Sequence, residues 1–300
     1  MTLAVSTLLI AAVLQLALLV TAQPSAVVSS HVASQHAPAI EPNSVAMCLV
    51  VKNQNDDIRE WIQHHQQLGV SKFYVWDNNS SVPMLQQLYD LVESGVVDYR
   101  YFLEFEHPSR FAQSWVYDQC LQRYGGDHRW IAFMDADEFL VLKPGYTQLP
   151  DLLREYEDYG GLAINWIMFG SSGHVTRPKG STLTAYSKCL PKDNKNNLHV
   201  KVIANTKYAT SVGASPHGFL YRDSKFAVDV LLNRVDGPFT KAVRTDKVVI
   251  HHYVLKSLEE FRGKMLRGAA HGHLSKDMSF FQKVDEQATV DCREAGSVAA

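Results

Sequence analysis

The first forty residues contain no aspartate, glutamate, lysine or arginine. A stretch so poor in charge reads as a targeting segment, not as part of a core. Within it, Leu3 to Ala22 form an almost unbroken apolar run, interrupted only by Ser, Thr and Gln15. Val20-Thr21-Ala22 places small residues at the spacing of a signal-peptide cleavage site, and ~20 apolar residues also suffice to span a bilayer as a signal anchor. Residues 1–22 are thus expected to be a signal peptide or a signal anchor. The missing basic flank leaves the choice open. Either way the chain is expected in the secretory pathway, as a single-pass Golgi membrane protein or secreted. Residues 23–43 are Ser, Ala, Pro, Val, Gln and His without periodicity, a composition that cannot bury enough apolar area to offset chain entropy. They read as a flexible stem, with the folded domain over 44–284 and a loose tail over 285–300.

Excess charge of either sign is also lacking. Lys and Arg number 29 against 31 Asp and Glu, a formal net charge of −2, which argues against nucleic acid as a partner and requires that any anionic substrate be met locally. Cysteine is scarce. The four residues Cys48, Cys120, Cys189 and Cys292 lie far apart, which excludes C-x-x-C redox and zinc-ribbon signatures. An oxidising lumen would permit disulfides, but spacing does not give their pairing, and Cys48 in an apolar strand and Cys120 in a helix read equally well as buried thiols. Glycine is absent from the turn after the first predicted strand, Lys52-Asn53-Gln54-Asn55-Asp56-Asp57. No G-x-G-x-x-G fingerprint or Walker A loop is present, which argues against NAD, FAD and P-loop chemistry.

What the chain does have is Trp130-Ile131-Ala132-Phe133-Met134-Asp135-Ala136-Asp137-Glu138-Phe139-Leu140. Apolar residues without alternation suit a parallel strand covered on both faces, and carboxylates cannot stay unpaired in such a core. The acids must therefore sit where the strand emerges, the edge at which α/β sheets bind ligands. Two aspartates one residue apart can hold a hard divalent cation, Mn²⁺ or Mg²⁺, which in turn bridges a diphosphate. The periodicity predicts strands over 45–51, 72–76, 96–102 and 130–134, alternating with helices over 57–68, 84–94 and 111–124. Four such units make an α/β fold with a doubly wound, mostly parallel sheet, which places Asn53, Asp77 and the acids at carboxyl ends lining one crevice. Further on, a helix is expected over 149–159, strands over 161–169, 200–204, 214–221 and 248–253, and a polar surface excursion over 188–197. Ser257-Leu258-Glu259-Glu260 is a capping-box pattern opening a helix over 257–267.

In order, these motifs resemble those of glycosyltransferase family 92 and its family 2-like relatives, enzymes of the GT-A fold. The matching blocks are V-K-N-Q-N-D-D-I-R-E-W-I-Q-H-H-Q-Q-L-G-V at 51–70, F-Y-V-W-D-N-N-S-S at 73–81, the acid block at 130–140, W-I-M-F-G-S-S-G-H at 166–174 and H-Y-V-L-K-S-L-E-E-F at 252–261. Gln54 departs from the pattern, standing where an acidic residue is expected. The resemblance implies a D-x-D made by Asp135 and Asp137, with Asp137 the direct metal ligand and Asp135 facing the ribose or the metal. It implies that Asp77 contacts the nucleoside beside Lys52 and Asn53, and that His252, or in competition His251, completes the metal site. The implied activity is metal-dependent transfer of a hexose, with inversion, from a nucleotide sugar of the UDP class to a carbohydrate or glycoconjugate acceptor.

Other residues have roles the sequence leaves open. Trp166 and His174 are placed on the acceptor side, since a flat ring suits a pyranose face while equally suiting a core. Lys201 and His217 are polar points on later strands that could meet the diphosphate, and His64 and His65 read as packing residues. An inverting reaction needs a carboxylate base, for which Asp223 and Asp229 are considered without spacing to single either out. Two rivals stand against transfer. A haloacid-dehalogenase-type phosphatase would carry its D-x-D on the first strand, not the fourth, and a GT-A module could bind nucleotide or glycan without turnover.

Overall fold

Residues 44–103, 112–267 and 276–293 are described by a computed structural model of the protein. The targeting segment and stem lie outside these residues. Among the described residues no helix is long and apolar enough to cross a membrane.

The apolar runs form the strands, and their alternating side chains feed two cores. In β1 (Val45–Val51), Val45, Met47, Leu49 and Val51 face one core while Ala46 and Cys48 face the other. Helix α1 (Ile58–Gln67) lays Ile58, Trp61 and Ile62 on the first core. Strand β2 (Val70–Asn78), helix α2 (Leu85–Glu93) and strand β3 (Val97–Phe102) complete the next unit. Helix α3 (Ala112–Tyr124) covers the opposite face with Val116, Tyr117 and Cys120, and leads to β4 (Trp130–Phe133). The parallel order β4-β1-β2-β3 is the doubly wound half expected from the sequence.

After β4 the chain doubles back through the acids. Strand β5 (Glu138–Leu142) runs antiparallel to β13 (Val248–His252), which lies parallel to β6 (Gly161–Met168). Between them, α4 (Leu149–Leu153) is followed by a tighter turn at Arg154–Tyr156, where one helix over 149–159 was expected. Helix α5 (Thr182–Ala185) and strand β7 (Lys188–Cys189) precede β8 (Val200–Asn205), which inserts antiparallel between β4 and β6. Strands β9 (Ala209–Val212) and β10 (Phe219–Tyr221) form a small separate ribbon. The strand expected over 214–221 is shortened to β10 because Ala214 to Gly218, with Pro216 among them, make the turn. Strands β11 (Ala227–Val228) and β12 (Arg234–Val235) finish one edge of the ten-stranded sheet. The sheet is mixed α/β in setting and mostly parallel, as expected.

The described part of the carboxyl-terminal region holds two helices and a short strand. Helix α6 (Leu258–Arg267) is opened by the predicted capping box, Ser257 Oγ accepting from Glu260 N and donating to Glu260 Oε2. Helix α7 (Met278–Gln287) crosses the predicted boundary at 284, and strand β14 (Val290–Asp291) pairs with β7. Residues 285–293, expected to be loose, are held by this pairing and by a Cys189–Cys292 disulfide. The 188–197 excursion correspondingly buries Cys189, Leu190 and Asn197. Cys48 pairs with Cys120, tying β1 to α3, so these two are not simple buried thiols.

Candidate functional site

Asp135 and Asp137 occupy the turn between β4 and β5, where Glu138 N donates to Asp135 O. The two carboxylates have different surroundings. Asp135 is the more open, its side chain 37% exposed; its Oδ1 accepts from Gln113 and its Oδ2 forms an ion pair with Lys201 at 2.9 Å. Burial acts to raise its pKa, but Lys201 outweighs it and holds the carboxyl below the usual range. Asp137 is nearly enclosed. Its Oδ2 receives the Lys264 ammonium and its Oδ1 lies 3.6 Å from His252 Nε2. Against the push of burial, Lys264 and then His252 keep it well below the usual carboxylate range. Glu138, fully buried, goes the other way. Its Oε2 accepts from Asp135 N, its Oε1 has no partner, and burial pushes its pKa up to about 8.

His252 ends β13 beside these acids. Burial pushes its pKa down to about 3, so the ring is a neutral imidazole at physiological pH. His251 alternates to the other face of the strand, against Phe169, and does not compete for the acids. Cations close over the site from the carboxyl-terminal helices. Besides Lys264, Arg267 of α6 donates to Asn53 O at 3.3 Å, and Lys276, just before α7, has its pKa pushed down to about 8 by burial and by Lys264. Gln54 takes part through its amide. Oriented so that both ends are satisfied, it accepts from Arg267 and donates to Asp57 Oδ2 at 2.9 Å.

The other expected residues divide. Lys52, half-buried, and Asn53, exposed at φ 51°, stand at the carboxyl end of β1 as expected. Asp77 is at the tip of β2 but fully buried. It accepts from Ser80 N, Met84 N and the Tyr99 hydroxyl, so it organises the turn and offers no exposed oxygen to a nucleoside. Trp166 reaches the site, its ring centroid 4.6 Å from that of His252, yet it stacks on His199 and donates to Asn196 O. At 7% exposure it is a wall of the site, not a platform for an acceptor. His174 bonds Ala185 O and holds its loop to α5, with no contact to the acids. Asp229 is consumed by Leu231 N, Asn233 N and the Asn233 amide, and Asp223 is exposed in a left-handed turn at the amino end of β6. Neither is placed to act as a base. Lys201 lies under the acids instead of toward a diphosphate, and His217 bonds Val200 O with its pKa pushed down to about 4 by burial and by Lys201. His65 packs as expected, accepting from Leu140 N.

Among the described residues no three His, Cys, Asp or Glu side chains are grouped closely enough to hold a metal by themselves. The chemistry of the pair that faces inward nevertheless fits. An ionised carboxylate and a neutral imidazole offer oxygen and nitrogen donors to a divalent cation, with substrate oxygens and water left to complete its coordination. Asp137 and His252 would hold such an ion, with Asp135 beside them.

The site is thus a pair of aspartates at a strand end of a mostly parallel α/β sheet, with an inward histidine and converging cations. The glycosyltransferase family 92 model matches residues 43–287, and the chain belongs to that family. A family 92 protein of Ricinus communis is 26% identical over 244 residues, covering 77% of this chain and 39% of the relative. Another, from Oryza sativa subsp. japonica, is 32% identical over 162 residues, covering 53% and 27%. The chain thus spans between about a quarter and two fifths of the length of these curated relatives. Among solved structures, S. aureus TarS 1-349 is similar at a TM-score of 0.41 and 11% identity, over 81% of this chain and 70% of that one. The mannosyltransferase PcManGT from Pyrobaculum calidifontis, in complex with GDP-Man and Mn²⁺, is similar at 0.32 and 14%, over 44% and 38%.

Proposed function

We propose that the chain is a metal-dependent hexosyltransferase that moves a hexose from a UDP-type nucleotide sugar to a carbohydrate or glycoconjugate acceptor, with inversion. Family membership supports the glycosyltransferase class, and one observation supports the finer reading. Asp137 is kept ionised beside a neutral His252, under Lys264, Arg267 and Lys276.

A bound Mn²⁺ or Mg²⁺ would neutralise charge on the departing nucleoside diphosphate. Everything else falls to the chain. Asp137 and His252 hold the ion's place, Asp135 is fixed to face the donor, and the cations of α6 and the α7 entrance counter phosphate charge. These groups act by position and preset electrostatics, since they need not reorganise as charge develops. Trp166 and the sheet exclude water from one side. Residence in the secretory pathway, anchored in the Golgi membrane or secreted, belongs to the same proposal and is supported by the apolar run at 3–22 and by two disulfides.

A second reading, binding without turnover, has one observation in its favour. Both aspartates already carry ammonium partners. The two separate in a donor assay on the full chain, reading nucleoside diphosphate release from UDP- and GDP-sugars with Mn²⁺ and with chelator. Release that needs the ion and disappears in Asp137→Ala supports transfer and names the donor. Calorimetric nucleotide binding with no release supports the binding module.

A further inference from the structure

Lys201 is the only charged residue of β8, a strand buried along its whole length. It is 1% exposed, so its ammonium is shielded from bulk solvent. Its environment is instead built from the acid turn. Nζ lies 2.9 Å from Asp135 Oδ2 and 3.4 Å from Glu138 Oε2. Glu138 Oε2 in turn accepts from Asp135 N at 2.9 Å, and Gln113 holds the other oxygen of Asp135. The antiparallel register that pairs Ile203 with Ala132 brings Lys201 alongside the chain leaving β4. Burying a lysine and a glutamate is costly, and a well-packed apolar pair would cost less. The pair makes sense when its product is the orientation of a third group.

We propose that Lys201, paired with Glu138, is a positioning residue that fixes the carboxylate of Asp135 from below, setting its rotamer and supplying its counter-charge so that it meets the donor in one orientation. This inference rests on the acid turn being the donor site. Lys201 touches neither donor nor metal in it; its effect passes through Asp135. Residues that orient ligating groups are worth roughly 10–100-fold in affinity or activity.

The test is a double-mutant cycle on the full chain, reading nucleotide-sugar turnover and, by calorimetry, UDP affinity. Lys201→Met alone takes the neighbouring ammonium from a buried, titratable Glu138, so the working variant is Glu138→Gln with Lys201→Met. There the glutamine oxygen still accepts from Asp135 N, position 138 carries no charge, and Asp135, 37% exposed, keeps its contact with solvent. The double variant is expected to fold, with a circular dichroism spectrum and melting behaviour like the parent's, and to lose turnover at least about tenfold. Added to Asp135→Asn it should cost nothing more, because the group it positions has already gone. Parent-level turnover in the folded double variant, or losses that multiply with Asp135→Asn, would overturn the proposal. Should the double variant not fold, Lys201→Arg takes its place in the cycle. Its longer fork keeps the charge but misplaces it, and the same non-additivity with Asp135→Asn is required. If Asp135→Asn by itself keeps full turnover, the donor-site reading fails first, and that outcome differs from either of the others.

Discussion

Nε2 of His252 stands 3.6 Å from Oδ1 of Asp137, while Oδ2 of the same carboxylate meets the ammonium of Lys264. One carboxylate thus serves a neutral imidazole and a cation at once. Any divalent ion arriving at Asp137 and His252 enters against the charge of Lys264, and the same charge favours a diphosphate once bound.

Lys264→Met should therefore separate two quantities that most site variants move together. Without nucleotide, Mn²⁺ affinity is expected to rise about tenfold, since removing a close like charge from a shielded site is worth more than 1.4 kcal/mol. Donor turnover is expected to fall, because a counter-charge for the leaving diphosphate has gone. Electron paramagnetic resonance titration of free Mn²⁺ reads the first and product release the second. Affinity that stays at the parental value would show that Lys264 and the ion do not share Asp137.

At the other end of the sheet, His128 is held between Ser44 Oγ and the Tyr74 hydroxyl, each at 2.7 Å. It is 3% exposed, and burial pushes its pKa down to about 4. Between that value and ~6.5 the unfolded chain binds the proton and the folded chain does not, so the contribution of this group is complete above ~6.5 and is lost as pH falls toward 4. Buried His252 and His65 act in the same direction. From pH 7 to pH 5 the parent should lose about 2 kcal/mol through His128. In His128→Gln that part of the loss should vanish. Urea unfolding at the two pH values measures it, and an identical pH dependence in the two proteins would assign the titration elsewhere.

The Gly-Ser loop after β6 has a structural task that its composition did not reveal. A Cβ on Gly170 would stand 2.5 Å from Ala288 Cβ and 2.9 Å from Asp285 Oδ1, and Ser171 donates to Asp285 through both N and Oγ. The loop is the seat of α7. Gly170→Ala is expected to cost roughly 1–3 kcal/mol by overpacking, and to speed amide exchange in 278–287 more than in β1. Exchange that accelerates equally in both would mean that α7 has no local dependence on this seat.

How far the sequence could carry this depends on where each signal lies. Strands β1, β2 and β4 were legible because apolar runs without alternation leave few alternatives, and Asp135 and Asp137 because carboxylates break such a run only where it emerges. Asp77, expected at the nucleoside, and Asp229, one of two candidates for a base, both turn out to bond their own turns, for a local reason. A carboxylate at a strand tip looks the same whether it faces a ligand or accepts the next backbone N–H groups, although the Asn-Asn-Ser-Ser run after Asp77 is turn chemistry that favours the second. Lys264 and Arg267 were missed because a basic residue on an amphipathic helix carries no mark of a partner 127 or 214 positions away. Lys201 could have been placed. A lone ammonium in V-K-V-I-A-N must find a carboxylate, and the acid turn supplies three at a strand end of the same sheet.

The disulfide Cys189–Cys292 closes a longer covalent loop than Cys48–Cys120, at a sequence separation of 103, yet joins the two-residue strand β7 to the residue just after the two-residue strand β14. Strands that short supply little stability of their own, so the bond and the Gly170 seat add to the core burial of Phe281 and Val284 in holding α7, whose entrance carries Lys276. In the chain-entropy account a loop of this length is worth about 4–5 kcal/mol, and removal of native disulfides typically costs about 2–5. The variant Cys189→Ser with Cys292→Ser should therefore remain folded through the sheet but lose about 2–4 kcal/mol in urea unfolding. It should also weaken UDP binding, as Lys276 is no longer held over the acids. The matched variant Cys48→Ala with Cys120→Ala removes a bond of comparable loop length inside the core and should lower stability without that selective loss of affinity. Equal effects of the two variants on UDP affinity at temperatures where both are folded would break the link between the carboxyl-terminal staple and the site.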